Sequence, residues 1–125
     1  MKRILVAVDD SPQALAAADV AIDLARSEGA ALRLVTVREP GPNPVPALHY
    51  VAGRARAAGL DTSEAVIDGG QPFERLLREA GTWLADLIVM GRSDKRPTGT
   101  PYVGSQTEHL LEFTTVPVLV VPSGP

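Results

Sequence analysis

Cysteine is absent from the 125 residues, which removes disulfides, thiolate metal sites and cysteine nucleophiles from consideration. Two histidines, His49 and His109, are too few for a histidine-rich metal site. Aromatic residues make up only 4% of the chain, too little for a platform on which the bases of a single strand would stack. No basic arm or long basic stripe occurs, and the net charge is −3 with both signs mixed along the chain. That speaks against a nucleic-acid binder, which needs a concentrated positive surface. No apolar run approaches the ~20 residues of a membrane span. The opening run, Ile4 to Val8, meets Asp9 and Asp10 and is also too short for a secretory leader. The expectation is a soluble cytoplasmic protein with one domain over residues 1–125. A chain of this length buries roughly two-thirds of its unfolded surface and needs no staples.

What the chain does have is alternation. Ile4 to Val8 is apolar without a polar break, which suits a strand buried on both faces, as in a parallel sheet. Asp9-Asp10-Ser11-Pro12 ends it, with Asp10 or Ser11 as helix N-cap and Pro12 at the first helical position. Leu15, Ala18, Ile22 and Ala25 then recur at helical spacing up to Gly29. Ala31 to Val37 is the second strand. The proline-rich stretch from Arg38 to Pro46 reads as a loop, and Leu48, Val51, Ala52, Ala55 and Ala58 as the inner stripe of a second helix closed by Gly59. Arg54 and Arg56 lie off that stripe, as a solvated face. Ser63 to Ile67 is a third strand, and Phe73, Leu76, Leu77, Ala80 and Leu84 mark a third helix. Leu87 to Met90 is a fourth strand. A fourth helix runs from Ser105 to Phe113, with Leu110, Leu111 and Phe113 inward, and Val116 to Val121 is the last strand.

The order βαβαβαβαβ, with right-handed crossovers, predicts a doubly wound, mostly parallel five-stranded sheet with helices on both faces. Ligands of such sheets sit beyond the carboxyl ends of strands, where the strand order reverses. If the first and fourth strands are neighbours, Asp9 and Gly91 share one crevice. The loop after Gly91 carries Arg92, Lys95 and Arg96 against Asp94, and Gly104-Ser105 then opens a helix. A glycine-bounded loop running into a helix N-terminus offers backbone N–H groups to an anion, so a phosphate-bearing ligand is the candidate.

Two families share the opening Val8-Asp9-Asp10-Ser11-Pro12. In response-regulator receiver domains an aspartate at the end of the third strand accepts a phosphoryl group. Here Gly-Gly follows Ile67-Asp68, Gly91 stands where Asp86-Leu-Ile-Val-Met would lead to the acceptor, and no Lys-Pro pair is found near the C-terminus. The whole chain resembles the universal stress protein family instead. That family has a motif of Gly, two residues, Gly, nine residues, then Gly-Ser or Gly-Thr. This chain has Gly91, two residues, Asp94, nine residues, then Gly104-Ser105. The runs Asp86 to Gly91 and Val116 to Val121 look like the family's fourth and fifth strands.

The resemblance implies an adenine-nucleotide alpha-hydrolase-like, Rossmann-like fold and an ATP site, with Mg²⁺ as a possible companion. The implied binding residues are Asp9, Ser11, Val37, Met90, Gly91, Asp94, Gly104 and Ser105. Asp9 would lie near the ribose and phosphates, Val37 would contact adenine through its backbone, and Gly104 with Ser105 would hold phosphates. Asp94 departs from the motif's middle glycine. A carboxylate ~4 Å from a phosphate is repelled by on the order of 4 kcal/mol at an effective dielectric of ~20. Two readings therefore stand: a stress-related ATP-binding protein that works by binding, or a nucleotide-free dimeric scaffold of the same fold. No nucleophile elbow or P-loop occurs, so at most slow ATP hydrolysis is expected. A homodimer through Val116–Val121 is expected either way, because an apolar edge strand needs a partner.

Overall fold

The computed structural model describes residues 1–92 and 104–122. In chain order the elements are β1 (Arg3–Ala7), α1 (Pro12–Glu28), β2 (Ala31–Arg38), α2 (Val45–Ala57), β3 (Thr62–Asp68), α3 (Pro72–Trp83), β4 (Leu87–Gly91), α4 (Ser105–Phe113) and β5 (Val118–Val121). The strands form one sheet in the order β3-β2-β1-β4-β5, with every pair parallel. The order reverses between β1 and β4, which makes that junction the switch point.

The apolar strands are buried because both faces of the sheet are covered. Ile4, Val6, Leu32, Leu34 and Val89 point into one layer with α1 and α2, and Leu5, Val35, Ile88 and Met90 into the other with Leu76 and Ala80 of α3 and Leu110 of α4. The inner face of α1 is almost all alanine: Ala14, Ala17, Ala18, Ala21 and Ala25 are buried. Small side chains let its backbone come close to β1 and β4. Ser11 caps α1, its Oγ accepting from the Ala14 amide at 3.1 Å, and Gly29 ends it in the left-handed conformation. Both roles agree with the sequence reading.

Several boundaries and placements differ from it. Leu84, read as part of the third helix, is instead the left-handed residue that ends it, at φ 59° and 69% exposed. The helix α2 begins at Val45, inside the proline-rich stretch, so Pro46 lies in its first turn, where a missing N–H costs nothing. Asn43 Oδ1 accepts from the Val45 amide at 3.1 Å and helps start the helix. On α4 only Leu110 is inward; Leu111 is 43% and Phe113 58% exposed. A nine-residue helix has room for one inward line, here Thr107 and Leu110, and the Phe113 ring instead lies along Phe73, 6.0 Å between centroids. Finally, β5 starts at Val118 rather than Val116. The Thr114 hydroxyl accepts from the Val116 amide and donates to its carbonyl, which folds that segment into a turn.

At the far end of the sheet one carboxylate pins two strands. Asp86 Oδ2 accepts from the amides of Lys2 and Arg3 at 2.8 and 2.9 Å. The Lys2 and then the Arg3 hydrogen bond hold its carboxyl below the usual value of 3.8. A carboxylate depressed in the folded state contributes stability above its unfolded pKa and loses it as pH falls through the folded value. Asp86→Asn is therefore expected to melt below the wild type near neutral pH, with the gap closing as pH falls through the lowered folded-state pKa of Asp86. Thermal melts across that range check this; a gap independent of pH would assign the effect to lost geometry, not charge.

Candidate functional site

The site is created by a strand that stops early. β1 makes its last ladder pair at Ala7, opposite Val35, while β2 continues to Arg38. On its other side β4 runs on to Gly91. The central strand thus leaves a notch between its two neighbours. Beyond it lies a cavity of about 520 Å³.

Register decides what the notch offers. In β2 the Ala31 amide donates toward β1, to Lys2 O, and the Leu32 amide toward β3, to Asp61 O. Peptide groups alternate along a strand, so Ala31, Arg33, Val35 and Val37 all turn their N–H and C=O toward β1. Val35 is still served there, accepting from the Val8 amide at 2.9 Å. Val37 is not. The Val8 carbonyl, which a longer ladder would have given to its amide, accepts the buried Thr36 hydroxyl at 2.8 Å instead. Among the described residues Val37 therefore directs an unpaired donor and an unpaired acceptor into the cavity that it lines.

The residues singled out from sequence converge here: Asp9, Ser11, Val37, Met90, Gly91, Gly104 and Ser105 all line the cavity. Asp94 lies outside the described residues. Asp9 is exposed, and its Oδ1 accepts from the Ser11 amide at 2.7 Å. Its other oxygen has no partner among the described residues. The need for glycine at 91 has a cause within the fold. A β carbon there would fall 2.5 Å from the Gln13 carbonyl carbon and oxygen and 2.8 Å from the Ala14 nitrogen. The first turn of α1 rests directly on the end of β4. Gly104 caps α4 at φ 96° and ψ 149°, with no side chain to occupy the helix's first amides. The N–H groups of Ser105, Gln106 and Thr107 thus start the helix without intrahelical partners.

Other lining residues were not visible from sequence. Gln106 joins two helices: its Oε1 accepts from the Phe73 amide, and its Nε2 donates to Gln71 Oε1, each at 3.1 Å. It caps α3, which has no side-chain cap of its own, and fixes α4 beside it. Gln13 and Thr107 line the cavity and are 8% and 5% exposed. Glu39 also lines it, as does Arg92, which the sequence already placed in the positively charged loop after Gly91. With Asp9, two carboxylates face one guanidinium on the described wall. His109 does not line it; its Nδ1 lies 2.7 Å from Ser105 O and its ring stacks on Phe73.

A metal has few donors here. Among the described residues no group of three or more His, Asp or Glu could hold one. The single carboxylate of Asp9 suits a magnesium ion that keeps its waters and arrives with phosphate oxygens; it does not suit a resident metal.

An all-parallel, doubly wound sheet with a polar crevice at its switch point defines an α/β protein whose cavity lies at the strand ends, where the ligands of such sheets sit. The description "Universal stress protein family" fits residues 1–50 and 45–122, and the chain belongs to that family. A Thermus aquaticus relative, the universal stress protein in the QAH/OAS sulfhydrylase 3′ region, is 33% identical over 96% of this chain and 98% of its own. A solved family member from Burkholderia pseudomallei is 32% identical, with a TM-score of 0.72 over 97% of this chain and 96% of that one. A universal stress protein solved in complex with cAMP is 27% identical, with a TM-score of 0.76 over 98% of both chains. No helix among the described residues is long and apolar enough to cross a membrane.

Proposed function

We propose that this chain binds an adenine nucleotide in the crevice and acts in the cytoplasm through binding, as a stress-related regulator of its own dimer or of a partner, rather than through turnover. The observation that carries this reading is the pair of unsatisfied backbone surfaces at the two ends of one cavity. At one end Val37 presents a donor and an acceptor side by side, complementary to the N1 and N6 edge of adenine. At the other the uncapped amides of α4 suit a phosphate. The relative solved with cAMP supports the same ligand class. ATP, with Mg²⁺ held through water at Asp9, is the fullest ligand of this class. If bound there, the ion would offset phosphate charge, while Asp9 would orient its waters. No nucleophile and base meet in the crevice among the described residues, so the chemistry favoured is recognition.

A second reading, a nucleotide-free dimeric scaffold, is favoured by the two carboxylates on the crevice wall and by the open edge of β5. Calorimetric titration of nucleotide-stripped protein with ATP, with and without Mg²⁺, separates the two. Micromolar binding in the presence of Mg²⁺ is the expected outcome. No heat at millimolar ATP, with no shift in melting temperature, would favour the scaffold.

A further inference from the structure

Three polar side chains are buried among the described residues, and two of them, Gln13 and Thr107, belong to helices. The third, Thr36, is 1% exposed and lies in β2. The residues before it on the same face of that strand, Leu32 and Leu34, are apolar and pack in the layer with α1 and α2. A valine would fill the same space without the cost of taking a hydroxyl out of water. What the hydroxyl does is hold the Val8 carbonyl, to which it donates at 2.8 Å.

That carbonyl is the first backbone acceptor beyond β1. The Val8 amide donates to Val35 O at 2.9 Å, and in a parallel ladder of this register the next rung is the Val37 amide to Val8 O. Among the described residues that rung is not made. Two local bonds stand in its place. The Thr36 hydroxyl takes the carbonyl, and Asp9 Oδ1 takes the Ser11 amide at 2.7 Å, which turns the chain off the sheet toward α1. Val8 is 4% exposed, and a buried carbonyl seldom goes without a donor. With the hydroxyl removed, the donor that the register supplies is the Val37 amide.

We propose that Thr36 is a positioning residue for the crevice: by occupying the Val8 carbonyl, its hydroxyl stops β1 from extending and leaves the backbone edge of Val37 open to the base of a ligand. This rests on the adenine-nucleotide reading and names what sustains the edge that reading uses. Thr36 itself does not line the cavity, so it acts on a ligand only through Val8 and Val37. Loss of the hydroxyl lengthens the ladder by one rung, and a base must then compete with β1 for a single donor.

The test pairs hydrogen exchange at the Val37 amide, followed by NMR, with calorimetric titration of stripped protein by adenosine and by ATP with Mg²⁺. Thr36→Val is expected to slow Val37 exchange about tenfold and to weaken adenosine and ATP alike by about tenfold, the worth of one hydrogen bond. Thr36→Ser keeps the hydroxyl and is expected to stay within about twofold of the wild type in both readouts. Thr36→Ala also lacks the hydroxyl and repeats the comparison if the valine variant melts early. Val37 exchange left unchanged by the loss of the hydroxyl would overturn the proposal, whatever binding does. So would a wild-type Val37 amide as slow as that of Val35, since the edge would already be closed. A loss confined to ATP would place the effect at the phosphates, away from Val37, and overturn it as well. Slowed exchange with undiminished adenosine affinity would keep Thr36 as the stop of β1 and overturn the pairing of adenine with Val37. No binding of adenosine or ATP by the wild type would overturn the adenine reading itself, with exchange at Val37 still deciding what Thr36 does.

Discussion

Replacing Gly91 by alanine is expected to lower the melting temperature by about 10 °C, the size that follows from about 3 kcal/mol of overpacking in a domain of this length. The added methyl would meet the Gln13 carbonyl carbon and oxygen at 2.5 Å and the Ala14 nitrogen at 2.8 Å, against a contact optimum of about 3.5–4.0 Å. These are backbone atoms in the capped first turn of α1, so no side chain can swing aside. Relief requires lifting that turn from the sheet or bending the end of β4 away from Val121, to whose carbonyl the next amide, Arg92, donates at 2.7 Å. Either movement distorts the crevice, so nucleotide binding should fall together with stability. Gly53 is the internal control. It lies within α2 with nothing in reach of an added β carbon, and Gly53→Ala should stabilise by about 0.5–1 kcal/mol. Circular-dichroism melts of the two variants give the comparison. An unchanged melting temperature for Gly91→Ala would show that α1 is not seated as tightly as described.

Val120→Pro is expected to convert a dimer into a monomer at tens of micromolar protein while leaving the domain folded. β5 is an edge strand. Ile88 donates to the Pro117 carbonyl and Arg92 to that of Val121, so residues 117, 119 and 121 turn their peptide groups inward to β4. Val118 and Val120 turn theirs outward, toward whatever adds to the sheet. Proline at 120 removes an outward N–H and spares the β4 ladder, a position where edge strands tolerate it. Leu119 is 38% exposed beside it, apolar surface that a second copy would cover. Light scattering on wild type and variant decides. A monomeric wild type would sink the edge-pairing proposal outright, and a dimeric variant would move the interface elsewhere.

Much of this architecture could be read from residue order. Apolar runs without alternation mark the buried parallel strands, and Ser11, Pro12 and Gly29 bound α1 as their capping chemistry requires. The crevice was legible as well, because a β1-β4 junction places Asp9 and Gly91 together in any sheet with this strand order. What was hidden depended on register and on pairs of elements. The availability of the Val37 backbone follows from where β1 stops relative to β2, which no single segment encodes. Gln13 and Gln106 look like ordinary helix-surface residues; their burial and bridging arise only once α1 meets β4 and α3 meets α4. Leu111 and Phe113 misled for the converse reason. An apolar cluster in a short helix suggests a broad inner face, but the helix has only one inward line. Gly91 was read for its closeness to a ligand, and its nearest obligation is to the α1 backbone.

The early stop of β1 also decides what occupancy of the crevice would do to the lifetime of the protein. The two apolar layers are separated by the sheet, and α1 and α4 belong to different layers. At the notch alone they line a common space. A molecule held there would act as a rivet through the sheet, and its binding energy would count toward unfolding of the whole domain instead of one loop. Each tenfold rise in ligand above its dissociation constant would add about 1.4 kcal/mol to the equilibrium free energy of opening. The chain's survival against proteases would then follow the ligand concentration.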